Sequence, residues 1–169
     1  MINHNYPLTD LHRHLDGNIR LSTIWQLAQE HSIFLPADSL EKLKSKVQIQ
    51  QKTTDLLAFL EKMELGVSVL ASEQACFRIA YENIEDAKLA GLDYVELRFS
   101  PVFMAQAHNL PVDQVVDAVI AGCKAGTKIR CSRQSHWYIE SQLWRSNLSS
   151  RVTSIAPRQR RHSSARFGW

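Results

Sequence analysis

The chain has 169 residues, 44% of them hydrophobic and 22% charged, which is one domain's worth of length with apolar residues enough for a sizeable core. No apolar run approaches the roughly 20 residues of a membrane helix, and the N-terminus lacks the basic-then-apolar pattern of a secretory leader. Cys76, Cys123 and Cys131 are odd in number and unpaired by spacing, which argues against a disulfide framework and a cysteine zinc site and leads us to expect a reducing cytoplasm.

In chain order, Pro7 to Leu11 reads as a first strand. Ser22 to His31 carries Ile24, Leu27 and Ala28 at the spacing of one helix face. Ser39 is placed to cap a short helix through Val47, with Glu41 in its first turn. Asp55 to Met63 has Leu56, Phe59, Leu60 and Met63 on an apolar stripe. Ser72 caps a long helix to Ala90, and Gly91 suits the residue that follows a helix end. Leu92 to Phe99 alternates, with Tyr94, Glu96 and Arg98 on one face and Val95, Leu97 and Phe99 on the other, and Pro101 ends it. Pro111 opens a last helix that carries Val115, Val116, Val119 and Ile120 to about Gly126. Strand, helices, strand, helix is the order of a parallel α/β architecture.

Beyond Thr127 the pattern changes. Residues 1–127 hold 11 Lys and Arg against 16 Asp and Glu, a net −5, whereas residues 128–169 hold 9 against 1, a net +8. The tail is rich in Arg and Ser, lacks Asp, contains three of the four tryptophans, and reads as irregular or disordered.

The densest chemistry lies in the first strand, where Leu11-His12-Arg13-His14-Leu15-Asp16-Gly17 places two histidines two residues apart. Alternate side chains of a strand share a face, so His12 and His14 can offer two imidazoles to one metal ion. A catalytic zinc site takes about three protein ligands and leaves a position open for water. The plainer reading is local, with one histidine hydrogen-bonded and the other in solvent.

The stretches PLTDLHRHLDGNIR, AYENIEDAKLAGLDYVELRFSP and AQAHNLPVDQVVDAVIAG resemble the N-terminal part of the bacterial adenosine deaminase family, almost continuously from Tyr6 to Gly126. The resemblance implies the first portion of a (β/α)8 barrel, incomplete here, since such a barrel takes about 250 residues. It implies zinc as cofactor, a purine nucleoside as the small-molecule partner, and hydrolytic deamination of adenosine and 2′-deoxyadenosine in purine salvage. A related adenine or purine deaminase is the alternative within the same class. His12 and His14 match the first two zinc ligands, and Asp16, with His14, a contact to the ribose hydroxyl end of the substrate. Leu56, Phe59 and Leu60 match an apolar gate over the purine pocket, or are an ordinary buried helix face. Glu96 and Arg98 are a barrel-interior pair or a structural one. The family's third histidine and aspartate on the metal, its proton-transfer glutamate and its further histidine belong to later strands, which the matched stretch does not reach. His108, His136 and His162 stand in no ligand motif. No catalytic residue is therefore assigned, and the chain is expected to be inactive and to fold poorly alone.

The tail admits two accounts. One is a basic arm that binds nucleic acid through phosphate neutralisation, with Trp137 and Trp144 as stacking groups. The other is a shifted reading frame. Codons that encode WYIESQLWRSNL, read one base later, can give GILSRSFGVAT, which resembles the family's next stretch, and SARFGW can be encoded so that the shifted frame reads ALDLAG and the present frame meets a stop. We take the second account as the expectation, with residues 1–127 as the family portion and 128–169 as out-of-frame translation. No nucleic-acid or membrane partner is then expected, and the residues carry no sign of oligomeric state.

Overall fold

The computed structural model describes residues 6–50 and 55–127 with their side chains, and the backbone of strands at 136–141 and 153–155. Cys131, Trp144 and His162 lie outside the described residues, as does the sequence argument on the reading frame around them. The elements are β1 (Thr9–His14), α1 (Leu21–Glu30), α2 (Leu40–Val47), α3 (Leu56–Val67), α4 (Glu73–Leu89), β2 (Tyr94–Phe99), α5 (Pro101–Gln106), α6 (Val112–Thr127), β3 (His136–Ser141) and β4 (Thr153–Ile155).

Local chemistry accounts for most of these boundaries. The Ser39 hydroxyl accepts from the Lys42 amide at 3.4 Å and Ser72 from Ala75 at 3.2 Å, so both expected caps satisfy an amide the helix leaves unpaired, and Asp55 does the same for Ala58 at 2.9 Å. Gly91 follows α4 with φ of +71°, a conformation open to glycine at little cost. Pro101 ends β2 as expected and also occupies the first turn of α5, a short helix the sequence did not announce, whose cap is Ser100.

The sheet is open, in the order β1-β2-β3-β4, with β1, β2 and β3 parallel and β4 antiparallel to β3. Val95, Leu97 and Phe99 of β2 are buried and belong to one core with Leu15, Ile79, Ala80, Ile84, Val115, Val119 and Cys123. Helices α4 and α6 meet closely because Gly122 and Gly126 of α6 lie against the α4 backbone and side chains at Phe77, Ala80, Tyr81 and Ile84. Lys88 Nζ closes the pair by donating to the terminal carbonyls of Gly126 and Thr127 at 2.9 and 3.0 Å.

The expectation of an irregular tail needs correction at two short segments. His136–Ser141 pairs in parallel with all six residues of β2, and Thr153–Ile155 covers the far side of β3. The segment holds Trp137, Tyr138 and Ile139, residue types that fit a pleated surface. The edge of β2 supplies a row of backbone partners. That pairing is a tertiary effect, which a scan for periodicity cannot detect.

Candidate metal centre

An irregularity in β1 decides which side of the sheet His14 faces. Asp10 pairs with Val95 but Arg13 pairs with Leu97, so β1 spends one more residue than β2 over this stretch. His14 consequently stands opposite Arg98, on the polar face of the sheet. In a regular ladder it would stand opposite Phe99, on the core face, because a one-residue slip reverses every side chain. The Asp10 carboxylate stabilises the bulge by accepting from the His12 amide at 3.3 Å and from Arg13 Nε at 2.9 Å.

The two rings converge. His12 Nε2 and His14 Nε2 are 3.1 Å apart, with ring centroids at 5.0 Å and planes inclined by 48°. Nitrogens that share one zinc at about 2.0–2.1 Å in a tetrahedral arrangement lie roughly 3.3 Å apart. The pair therefore suits two positions on one ion.

Asp16 sits behind His14. It is 4% exposed, while the His14 side chain is 47% exposed. Asp16 Oδ2 accepts from the Ser100 amide at 3.0 Å, at the junction of β2 and α5. Asp16 Oδ1 faces His14 Nδ1 at 3.4 Å. That distance suits an ion pair, but the geometry does not make a hydrogen bond, and Oδ1 is a buried acceptor with no hydrogen-bond partner among the described residues.

Helix α4 holds the loop that follows. Asn18 Nδ2 donates to Asn83 Oδ1 at 2.8 Å and Asn83 Nδ2 returns a bond to the Asn18 carbonyl at 2.9 Å. Arg20 binds Asp86 through Nε and Nη2 and Glu85 through Nη2 at 2.6 Å, and its pKa is raised chiefly by the bond to Asp86. The Thr23 hydroxyl donates to Glu82 at 2.6 Å, and Arg78 also binds Glu82, at 2.9 Å. Neither Asn83 nor Ser100 was marked by the sequence, since one is an ordinary helical asparagine and the other acts through its backbone.

A pocket of about 340 Å³ opens beside Asp16 and Gly17. Its walls include Asn18, Ile49, Phe59, Lys62, Met63 and Gly66. His12 and His14 do not line it, so Asp16 is the link between the histidine pair and the cavity. The reading of Leu56, Phe59 and Leu60 as a buried helix face fails. Leu56 is 68% exposed and Leu60 37%, while α3 buries Gly66 and Val67 instead. Of the three only Phe59 lines the cavity.

Glu96 accepts from the Tyr94 hydroxyl at 2.8 Å, and Glu96 and Arg98 are half-buried on the face that carries His14. His108 is engaged elsewhere, with Nε2 2.7 Å from the Ser68 carbonyl. Only the backbone of His136 is described, in β3. Cys76 and Cys123 are buried free thiols, each pushed up to about 12 by desolvation. Among the described residues no group of three or more His, Cys, Asp and Glu side chains could hold a metal. Two converging imidazoles beside a buried carboxylate fit part of a zinc site in donor type, and the described residues offer no third ligand.

Comparison with known proteins identifies what the chain is similar to. The family profile described as Adenosine deaminase matches residues 7–163. The adenosine deaminase of Shewanella loihica is 58% identical over 128 residues, covering 76% of this chain but 39% of the relative. That of Edwardsiella ictaluri is 55% identical over 128 residues and is covered to 38%. The chain thus spans about 39% of the length of the curated relatives it matches. Among solved structures, an adenine deaminase from Arthrobacter aurescens superposes with a TM-score of 0.65 at 24% identity, over 80% of this chain and 39% of that one. An amidohydrolase from Burkholderia ambifaria with bound Zn gives 0.64 at 20% identity, over 80% and 35%. At such identities these two establish likeness of fold alone. The profile match, together with relatives 58% and 55% identical over 76% of this chain, shows that the chain belongs to the adenosine deaminase family.

Proposed function

We propose that this chain is the N-terminal portion of a zinc-dependent adenosine deaminase, a cytoplasmic enzyme that converts adenosine and 2′-deoxyadenosine to inosine and 2′-deoxyinosine. The observation that carries the reading is the 3.1 Å approach of His12 Nε2 to His14 Nε2 on the polar face of a parallel sheet. In this reading the open sheet is the first part of a (β/α)8 barrel, and the polar face is its interior at the C-terminal ends of the strands, where such barrels place their chemistry. His12 and His14 hold the ion through Nε2. When bound, the ion supplies Lewis-acid activation of water. Asp16 accepts from the ribose hydroxyl end of the nucleoside and His14 helps to orient it, and the cavity beside Asp16 takes up apolar surface against Phe59 and Met63. A ribose contact at Asp16 favours a nucleoside over free adenine.

Two ligands are too few for turnover. The 169-residue polypeptide is expected to take up zinc weakly and to form no inosine from adenosine. Zinc-dependent inosine formation by that polypeptide overturns this expectation. In an in-frame, full-length product the same assay is expected to show activity, and His12→Ala is expected to abolish it along with the bound zinc.

Residues 128–169 are, in this reading, out-of-frame translation, which accounts for their net +8 without a partner. The pairwise matches over 128 residues support a break near Thr127. A second reading is favoured by the profile match to residue 163 and by β3, which lies parallel on β2 where a third strand of the family would stand. There the tail is a diverged third unit. Sequencing the gene through the codons from Thr127 onward separates the two. One surplus or two missing bases establish the shift, and an intact frame refutes it.

A further inference from the structure

We propose that Asp16 is a positioning residue for His14, and that its carboxylate selects the imidazole tautomer in which Nε2 is free to act as a metal donor. This rests on the reading of His12 and His14 as zinc ligands and adds a role for Asp16 distinct from contact with the sugar.

Asp16 is 4% exposed and cannot swing into solvent. Its orientation is set from both sides. Oδ2 is occupied by the Ser100 amide at 3.0 Å, and that amide is fixed because Ser100 joins β2 to α5. Oδ1 is thereby turned towards His14 Nδ1, 3.4 Å away, and has no hydrogen-bond partner among the described residues. An ionised carboxylate only accepts hydrogen bonds. It therefore favours the proton on Nδ1, and the neutral ring then carries its lone pair on Nε2. Nε2 is the atom that faces His12 Nε2 at 3.1 Å. In the metal-free protein His12 must then donate from Nε2 to His14, so the two rings hold different tautomers. A carboxylate behind a metal-bound histidine is a general means of fixing ring orientation and raising donor strength. The Asn18–Asn83 exchange keeps the following loop from drifting.

Asp16→Asn tests this sharply because it keeps size and removes acceptor symmetry. The Ser100 amide is a donor, so the asparagine must turn its oxygen to Ser100. Its amide NH2 then faces His14 Nδ1, which favours an Nδ1 without a proton. The proton moves to His14 Nε2 and occupies the lone pair the metal needs, the same inversion that follows when a histidine-orienting aspartate is replaced in a serine protease triad.

The experiment is a long-range proton–nitrogen spectrum of the full chain labelled with 15N-histidine, without metal or nucleoside, at a pH well above the imidazole range, followed by zinc titration of the same sample. The expected result is an Nδ1–H ring at His14 and an Nε2–H ring at His12 in the native chain, Nε2–H at His14 in Asp16→Asn, and zinc affinity lowered about 10- to 100-fold in the variant. An Nε2–H ring at His14 in the native chain overturns the proposal without any variant, as does an unchanged tautomer and affinity in a folded Asp16→Asn. Nδ1–H at His14 in a native chain that takes up no zinc overturns the ligand reading instead, so the two failures remain distinct.

Discussion

Gly122→Ala sets two physical effects against each other, and the structure decides the sign. Alanine has the higher intrinsic helix propensity, by about 1 kcal/mol in a helix interior, so on propensity alone the substitution stabilises α6. The added Cβ would lie 2.3 Å from the Phe77 carbonyl oxygen, 3.1 Å from the Phe77 carbonyl carbon and 3.0 Å from Ala80 Cβ. The obstruction is mainly backbone, which has no rotamer to escape into. Helices α4 and α6 must part by roughly 1 Å to restore ordinary contact, and gaps of that size forfeit about a quarter to a half of each dispersion contact they open. The residues along the seam, among them Ile79, Ala80, Val119 and Cys123, are at most 1% exposed, so the loss falls in the densest part of the core. Overpacking of this kind costs about 1–3 kcal/mol, and the rigid obstruction places Gly122→Ala at the upper end. Less the propensity gain, the net destabilisation is about 2 kcal/mol. The assay is urea unfolding followed by far-ultraviolet circular dichroism, with Gly66→Ala as control. The nearest atom to a Cβ at Gly66 is Ile24 Cδ1 at 3.8 Å, an ordinary contact, so that variant should match or slightly exceed the native chain. If Gly122→Ala proves as stable as Gly66→Ala, the close α4–α6 approach is wrong.

Stability should fall as pH rises from about 9 towards 12. Cys76 and Cys123 have an ordinary value of 9.0 and are pushed up to about 12 in the folded state, so the unfolded chain releases these protons first and gains relative stability. The contribution is fully present below pH 9, and each thiol removes about 1.4 kcal/mol per pH unit above it; the double Cys→Ala variant at these positions should flatten the urea midpoint against pH, and an unaltered slope refutes the assignment. Thr23→Val keeps shape but deprives buried Glu82 of its 2.6 Å donor, and should cost about 1.5–3 kcal/mol in the same unfolding assay. Ser72→Ala removes the N-cap of α4 and should cost about 1 kcal/mol, read as a lower urea midpoint. Deleting Leu11 removes the surplus residue and should leave His14 opposite Arg98 in a regular ladder, so zinc uptake measured by calorimetry should persist; its loss would show that the bulge itself orients the histidines.

The sequence by itself determined whatever depends on near neighbours along the chain. Ser39 and Ser72 announced two helix starts because a cap bonds an amide three residues on. The alternation of Val95, Leu97 and Phe99 revealed the core face of β2 because a strand's period is two. The spacing of His12 and His14 was legible for the same reason, and family likeness followed from long unbroken motifs. Only the tertiary structure decided which side of the sheet the histidines face, because that depends on an extra residue in β1 that appears only when β1 is paired with β2. The same holds for the Ser100 amide at Asp16, a backbone group 84 residues away that no side-chain pattern encodes. It holds for the apolar stripe of α3, where Leu56 and Leu60 repeat like a core face yet lie exposed, and only Phe59 between them lines the cavity. The tail shows the limit most clearly. Its composition reads as irregular, yet His136–Ser141 forms β3 on the edge of β2, because an edge strand can impose on a receptive segment a ladder that the segment's own sequence does not specify.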